Sequence, residues 1–116
     1  MIKVYIASPY TLGLPLENVL RQLKCADELM NLGYSPYVPL LCHFQHAVFP
    51  RHYEDWLNHV IGWIPYCDAM IRLPGDSPGA DKEVETAKQY GIPVYLTVKA
   101  LINDTPEYQT SRSVTK

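Results

Sequence analysis

The chain has 116 residues, of which 47% are hydrophobic and 19% are charged, and its net charge is −2. This length favours one domain over two, and the composition is typical of a globular protein with one core. The sequence contains no run of lysine or arginine, which argues against a DNA- or RNA-binding protein. A small anionic ligand remains compatible with this charge, because backbone amides can bind it.

The cysteines and residues 1–7 bear on the cellular compartment of the protein. Cys25, Cys42 and Cys67 are irregularly spaced and form no CxxC pair, which predicts free thiols in a reducing compartment. Residues 1–7 are apolar but short and are interrupted by Lys3, so they predict a strand and not a signal peptide. No segment approaches the ~20 apolar residues that cross a bilayer. We therefore expect a cytoplasmic protein without a membrane partner.

The first half of the chain predicts a strand, a helix and a second strand. Residues 2–7 are rich in β-branched and aromatic side chains, as strands are. Residues 17–32 predict a helix between Pro15 and Gly33. The apolar side chains that recur along one face of this helix are Val19, Leu23, Ala26 and Met30. Residues 34–41 predict a strand at an irregular or edge position, because they contain two prolines.

A loop and a second helix follow. Residues 42–51 predict the loop, and the helix begins near Tyr53 and is limited by Pro65. The apolar face of this helix is formed by Tyr53, Trp56, Leu57, Val60, Ile61 and Ile64.

The last part of the chain predicts a strand, a helix and a strand. Residues 69–73 predict the third strand, and residues 74–79 form a loop rich in glycine, proline and serine. A third helix begins at residue 80 or 81 and ends near residue 90, before a glycine. Residues 92–97 predict a fourth strand. Residues 105–116 are polar and predict a loose tail.

This alternation predicts an α/β domain over residues 1–104, with a mostly parallel sheet of four or five strands. In such sheets, ligands bind beyond the carboxyl ends of the strands. The loops at residues 8–10, 42–46 and 74–81 lie there, and they contain most of the chemically interesting side chains.

The loop before the third helix can be interpreted in two ways. Gly75 and Gly79 allow close approach of the backbone, and the hydroxyl of Ser77 lies beside the amides of the helix N-terminus. This arrangement suits a phosphate or a carboxylate. It is equally typical of an N-capping turn, in which Ser77 satisfies the helix end.

Glu83 in the first turn of the third helix also allows two interpretations. The positive end of a helix favours an ionised carboxylate. Such a group facing a pocket can act as a nucleophile or stabilise an oxocarbenium-like centre, as in glycosyl transfer. A solvated glutamate placed only for the helix dipole, as expected for Asp81 and Glu85, is the alternative.

Other candidate side chains have structural alternatives as well. Tyr5 and Ser8 bracket the end of the first strand, where a tyrosine commonly belongs to the core. His43 and His46 lie three residues apart without a third ligand at metal-site spacing, so substrate contact or loop packing is favoured over metal binding. Asp68 precedes the third strand and is expected to fix the local backbone.

Five segments together resemble one known family. They are residues 4–10 (VYIASPY), 67–69 (CDA), 73–75 (LPG), 77–87 (SPGADKEVETA) and 91–94 (GIPV). They look like the nucleoside 2-deoxyribosyltransferase-like superfamily, in particular its small bacterial and phage branches. The stretch from Ser77 to Ala87, after a strand and a Pro-Gly loop, is the most specific of the five.

The resemblance implies a three-layer flavodoxin-like or Rossmann-like fold. It implies hydrolysis or transfer at the N-glycosidic bond of a nucleoside or nucleoside 5′-monophosphate. Glu83 matches the glutamate that attacks the anomeric carbon, and Tyr5 matches a tyrosine whose hydroxyl holds that carboxylate. Ser77 stands where phosphate-binding members have a serine, which favours a phosphorylated ligand.

The expected substrate contacts are Ser8, Pro9, Tyr10, His43, Ser77, Gly79 and Ala80. Neither of the two loops around the expected phosphate contains arginine, so the helix N-terminus has to supply much of the positive potential. We expect no metal ion and no cofactor.

One position departs from the family pattern. Members usually carry an aspartate in the second helix that assists protonation of the leaving base, and here that position is Val60. Losing a general acid costs roughly 10²–10⁴ in rate. A non-catalytic nucleotide-binding or sensing module is therefore the alternative function. A related phosphoribohydrolase for a modified ribonucleotide is a third.

The aromatic content around the second helix exceeds what a thin four-stranded core can bury, and surplus apolar surface often marks an interface. The residues concerned are Phe44, Phe49, Tyr53, Trp56 and Trp63. We expect a homodimer or a higher homo-oligomer, and relatives in the family complete their pockets across subunits.

Overall fold

Strands and helices alternate along residues 1–106, the part of the chain that the computed structural model describes. The strands are β1 (Lys3–Ala7), β2 (Ser35–Tyr37), β3 (Ala69–Arg72) and β4 (Val94–Tyr95). The α-helices are α1 (Pro15–Asn31), α2 (Cys42–Val48), α3 (Tyr53–Ile61), α4 (Pro78–Gln89) and α5 (Val98–Asp104). Two short 3₁₀ helices cover Pro39–Leu41 and Ile64–Tyr66.

The strands form one parallel sheet in the order β2-β1-β3-β4. Alternate side chains of β1 enter two separate cores, as the strand period of two residues requires. Val4 and Ile6 pack against α1 and α5, whereas Tyr5 and Ala7 pack on the other face, which α4 covers. All four side chains are fully buried. The sheet therefore lies between two helical layers, which confirms the predicted flavodoxin-like α/β fold.

The register of β1 and β3 brings two catalytically interesting loops together. Ala7 pairs with Arg72, so the turn after β1 and the loop after β3 leave the sheet side by side. At the opposite end of the same strands, the Asp68 carboxylate accepts a hydrogen bond of 2.8 Å from the Lys3 backbone amide. Asp68 thus fixes the local backbone, as predicted.

The segment between β2 and α3 is more helical than the sequence pattern predicts. The second strand ends at Tyr37, because a 3₁₀ helix begins at Pro39. The predicted loop at residues 42–51 contains α2, so that prediction was wrong. This helix buries none of its side chains fully, and a helix without a buried apolar face leaves no periodic pattern to detect.

Helix α5 was also missed. Its first residues follow Thr97, whose hydroxyl accepts a hydrogen bond of 3.0 Å from the Ala100 amide, and Leu101 is fully buried. Thr105, assigned to a loose tail, instead packs with its hydroxyl 2.6 Å from that of Tyr34. The rest of the predicted tail, residues 107–116, lies outside the described residues. Within residues 1–106, every helix is too short or too polar to cross a bilayer.

The inner face of α1 differs from the predicted one. Met30 was placed on the apolar face but is 64% exposed, and the polar side chains of Asn18 and Gln22 are buried in its stead. Both polar groups are satisfied by hydrogen bonds to the chain around the carboxyl end of β1. Which side chains of α1 are buried therefore depends on hydrogen bonding as well as on hydropathy.

Candidate functional site

A cavity of ≈ 220 Å³ lies at the carboxyl edge of the sheet, between the turn after β1, helices α2 and α3, and the first turn of α4. Its wall contains seven predicted site residues: Ser8, Tyr10, His43, Ser77, Gly79, Ala80 and Glu83. The rest of the wall is formed by Thr11, Pro39, Leu40, Cys42, His46, Arg51, Tyr53, Trp56, Leu57 and Val60. Two predicted residues are outside this wall. Tyr5 lies behind Glu83, and Pro9 is buried beside Gly75, whose φ is positive.

Glu83 is held at the cavity by the way α4 begins. Ser77 caps the helix, with its Oγ accepting a hydrogen bond of 3.1 Å from the Ala80 amide, and Pro78 occupies the first turn. The predicted start at residue 80 or 81 is therefore too late, and Glu83 lies in the second turn of the helix and not in the first. Glu83 shares the inner face of α4 with Ala80 and Ala87, and only 6% of it is exposed. The interpretation of Glu83 as a solvated surface residue was wrong.

Tyr5 holds the Glu83 carboxylate from inside the sheet. Its ring is fully buried, and its hydroxyl donates a hydrogen bond to Oε2 of Glu83. Burial, followed by the adjacent Glu83 charge, raises the pKa of Tyr5 far above its ordinary range. The phenol therefore stays protonated and acts as a fixed donor.

Burial raises the pKa of Glu83 to about 7, although the hydrogen bond from Tyr5 and the charge of Arg72 both act to lower it. Arg72 is held in place by the Gly75 carbonyl at 2.8 Å and the Asp81 carboxylate at 3.2 Å. Glu83 thus exchanges its proton near neutral pH while facing a cavity, a combination common at catalytic sites.

Tyr5→Phe is expected to raise the pKa of Glu83 further, because the only change is the loss of the donor that stabilises the carboxylate. The carboxyl carbon of Glu83, followed by ¹³C NMR against pH, reports this shift. Tyr34→Phe is the matched control, since Tyr34 is also buried but its hydroxyl contacts Thr105. A Glu83 titration that is unchanged in Tyr5→Phe would show that the hydrogen bond does not stabilise the charge.

Glu83→Gln is expected to stabilise the fold above neutral pH. In the unfolded chain the carboxyl ionises at its ordinary pKa of 4.5, whereas in the folded chain it holds its proton up to about 7. Wild-type stability therefore falls as pH rises between these values, and the cost, on the order of 3 kcal/mol, is complete above them. Glutamine keeps the acceptor for Tyr5 without the charge.

Urea unfolding at about pH 8 and about pH 5 measures this difference. The variant should be more stable than wild type at the higher pH, and the gain should shrink at the lower one. Glu85→Gln, on the exposed face of the same helix, should change little at either pH. Equal gains for the two variants would contradict a buried, costly carboxylate at Glu83.

Gly79 is required by the close approach of α3. A Cβ atom at this position would overlap the hydroxyl oxygen of Tyr53, which lines the same cavity. The glycine in the first turn of α4 therefore lets the two helices form a continuous wall.

Gln22 organises the turn after β1, and the sequence interpretation missed it. Its side-chain amide donates to the Ile6 carbonyl and to Ser8 Oγ, both at 2.9 Å, and its carbonyl accepts from the Leu40 amide at 3.2 Å. Gln22 is fully buried. A glutamine in a helix is commonly a surface residue, so no sequence signal marked this role.

Tyr10 and His43 form a pair at the cavity. The Tyr10 hydroxyl is 2.6 Å from Nδ1 of His43, and the two rings meet edge to face. The Asn18 side chain donates to the carbonyl oxygens of Tyr10 at 3.0 Å and Leu12 at 2.8 Å, which fixes the Tyr10 backbone. The pair thus joins the turn after β1 to α2.

Arg51 adds a charge that the sequence interpretation did not assign to the site, and His46 adds a polar ring. Arg51 lines the cavity from the segment between α2 and α3, so a cation is available there after all. Nδ1 of His46 accepts from Trp56 Nε1 at 2.7 Å and from the Arg51 amide at 3.2 Å. Val60 lies in the same wall, at the position where the family usually carries an aspartate. Within the described residues, no three His, Cys, Asp or Glu side chains are arranged so that they could hold a metal ion.

The structure is an α/β domain whose fold is like that of solved 2-deoxyribosyltransferases. The chain belongs to the family described as "Domain of unknown function (DUF4406)", which matches residues 2–96.

Two solved structures show the same fold. A 2-deoxyribosyltransferase from Leishmania mexicana is similar with a TM-score of 0.61 and 19% identity, over 81% of this chain and 62% of that one. A 2-deoxyribosyltransferase from Bacillus psychrosaccharolyticus is similar with a TM-score of 0.53 and 22% identity, over 79% of this chain and 69% of that one. The chain thus spans less than two thirds of the length of the Leishmania protein. No curated protein matches it.

Proposed function

We propose that this protein breaks the N-glycosidic bond of a nucleoside or nucleoside 5′-monophosphate and passes the sugar to water or to another base. The observation that carries the proposal is the buried Glu83 carboxylate, which faces the cavity while Tyr5 holds one of its oxygens. The names of the two similar structures, both 2-deoxyribosyltransferases, support a nucleoside as the substrate class.

Glu83 is suited to act as the nucleophile. A carboxylate that attacks the anomeric carbon must be ionised, oriented and poorly solvated, because solvation lowers its reactivity. Burial desolvates Glu83, and the hydrogen bond from Tyr5 orients it. The resulting glycosyl ester is then released by water or by an acceptor base.

We further propose that the 5′-phosphate binds between Ser8 and the first turn of α4. The Ser77 hydroxyl oxygen accepts a hydrogen bond from the Ala80 amide. The same hydroxyl can still donate its own proton to an anion. The helix N-terminus supplies positive potential. Arg51 lines the same cavity and supplies the cation that the two loops lack.

A non-catalytic nucleotide-binding or sensing module is the second candidate, favoured by Val60 in the cavity wall. Incubating the protein with a panel of nucleosides and 5′-monophosphates, with chromatography for free base, separates the two. Release of a base from any member supports the glycosidase. Binding by calorimetry without release of base from any member supports the sensor.

A homo-oligomer is proposed from the exposed aromatic and aliphatic side chains around α2. Exposed fractions are 51% for Phe44, 66% for Phe49 and 48% for Trp63, whereas Trp56 is half-buried. Such surface is expected to lie in an interface. Light scattering at micromolar concentration should give at least twice the mass of one chain, and a monomeric mass would contradict the proposal.

A cytoplasmic location is proposed from the thiols. Cys25, Cys42 and Cys67 are all free in the structure, as is usual in a reducing compartment.

A further inference from the structure

Breaking an N-glycosidic bond requires a proton for the base. As Glu83 attacks the anomeric carbon, the electron pair of the carbon–nitrogen bond moves onto the base nitrogen, which leaves as an anion unless it is protonated. Of the described residues in the cavity wall, Glu83 is the only carboxylate, so it cannot serve as both nucleophile and acid. We propose that His43, held by Tyr10, donates this proton through Nε2; the inference rests on the proposed glycosidase.

The hydrogen bonds of the two cavity histidines distinguish their roles. Nδ1 of His46 accepts from the Trp56 indole and from the Arg51 amide, at 2.7 and 3.2 Å. Both partners can only donate, so this nitrogen carries no proton, and protonating it would break two hydrogen bonds. Nδ1 of His46 therefore serves as an acceptor and is not free to exchange a proton.

His43 has a partner that tolerates both protonation states. The Tyr10 hydroxyl, 2.6 Å from Nδ1, can accept a hydrogen bond as well as donate one. Two forms of His43 carry a hydrogen on Nδ1: the imidazolium and one neutral tautomer. Both can donate it to the Tyr10 hydroxyl, so the contact is kept in either form. The proton on Nε2, the nitrogen that Tyr10 leaves unbound, can therefore leave and return without disturbing the pair.

The remaining proton-bearing groups of the cavity are poorer donors. Burial raises the pKa values of the Tyr10, Cys42 and Tyr53 side chains above their ordinary values. His43, in contrast, can give up the proton on Nε2 while its Nδ1 keeps the contact with the Tyr10 hydroxyl. The titratable or charged side chains that share the cavity with His43 are Tyr10, Cys42, His46, Arg51, Tyr53 and Glu83.

The proton balance closes over two steps. In the first, Glu83 forms an ester with the sugar, the bond to the base breaks, and His43 Nε2 gives its proton to the base. In the second, a water molecule attacks the anomeric carbon, Glu83 leaves as carboxylate, and neutral His43 takes the water proton. The products are the free base and the free sugar or sugar phosphate.

The test compares two leaving groups in wild type and in His43→Gln. The first substrate is the nucleoside or nucleotide from which wild type releases base. The second is the para-nitrophenyl glycoside of the same sugar, whose phenolate leaves without a proton. His43→Gln should lower kcat for the first by roughly 10²–10⁴ with little change in KM. The rate of the nitrophenol burst, which reports the first step alone, should stay within about threefold of wild type, because nitrophenolate leaves without a proton.

A pH profile gives a second readout. Wild-type kcat/KM for the natural leaving group should be bell-shaped, and His43→Gln should lose the descending limb, which reports loss of the donated proton. His59→Gln is the matched control, because His59 is an exposed histidine on α3 outside this cavity. It should leave both substrates and the profile unchanged.

The outcomes separate the two proposals. Equal losses on both substrates, or a retained descending limb, would overturn the assignment of His43 while leaving the glycosidase in place. If wild type releases neither base nor nitrophenol, the proposed function fails and this inference fails with it. Nitrophenol release by His43→Gln also shows that the variant is folded.

Discussion

Glu83→Gln is expected to lower base release by at least about 10³-fold, because glutamine cannot attack the anomeric carbon as a carboxylate does. The amide keeps an oxygen acceptor for the Tyr5 hydroxyl and nearly the same volume, so the cavity should keep its shape. Nucleotide binding by calorimetry should therefore be retained while turnover is lost. Chromatography of free base under single-turnover conditions measures the effect.

Glu85→Gln provides the control for that experiment. It removes a carboxylate two residues away on the exposed side of α4, so the change in net charge is the same. Turnover in this variant should equal that of wild type. Unchanged base release in Glu83→Gln would remove Glu83 from the mechanism.

Ser77→Asp is expected to weaken binding of a 5′-monophosphate by roughly 10- to 100-fold and of the matching nucleoside far less. Aspartate is as good an N-cap as serine, so the hydrogen bond from the Ala80 amide and the start of α4 should be preserved. The new negative charge would lie in a largely buried position at the cavity, where repulsion of a phosphate is local and weakly screened.

Calorimetric titration of both ligands against both proteins measures the difference. Ser77→Ala is the control, because it removes the cap at a cost of about 1 kcal/mol in stability but adds no charge. It should affect nucleoside and nucleotide by similar factors. Equal losses for the two ligands in Ser77→Asp would mean that Ser77 is only a helix cap, and the preference for phosphorylated ligands would be withdrawn.

The sequence predicted the fold best where all side chains of a segment favoured the same secondary structure. The β-branched and aromatic side chains of residues 2–7 predicted a strand, and the structure places Val4 and Ile6 in one core and Tyr5 and Ala7 in the other. Parallel strands then bring their carboxyl ends to one edge, so the loops that form the cavity could be predicted without any contact information.

The parts that were missed depend on three-dimensional contacts. Gln22 carries no signal in sequence, because its role arises from the carbonyl, hydroxyl and amide that surround it in the fold. Arg51 follows α2, a helix that the sequence did not predict, and its place in the cavity wall became visible only with the fold. A helix that buries few side chains, such as α2, is stabilised by the elements around it, and its own sequence shows no helical periodicity.

The interpretation of Glu83 shows why spacing alone was insufficient. A glutamate in a first turn is usually solvated, and the helix dipole explains it without a function. Its burial follows from the face that α4 turns to the sheet, and the nearby hydroxyl comes from Tyr5, 78 positions away in sequence. Only the resemblance to a known family joined these two residues before the fold was known.

Mass spectrometry of a quenched reaction tests the central claim most directly. A base-releasing nucleotide is mixed with the protein, the reaction is stopped with acid within one turnover, and the peptide that follows Lys82 is analysed by fragmentation. The account predicts a mass increase on Glu83 equal to the sugar or sugar phosphate less one water, absent in Glu83→Gln. Release of base with an unmodified Glu83, or with the sugar attached to a different side chain, would contradict it.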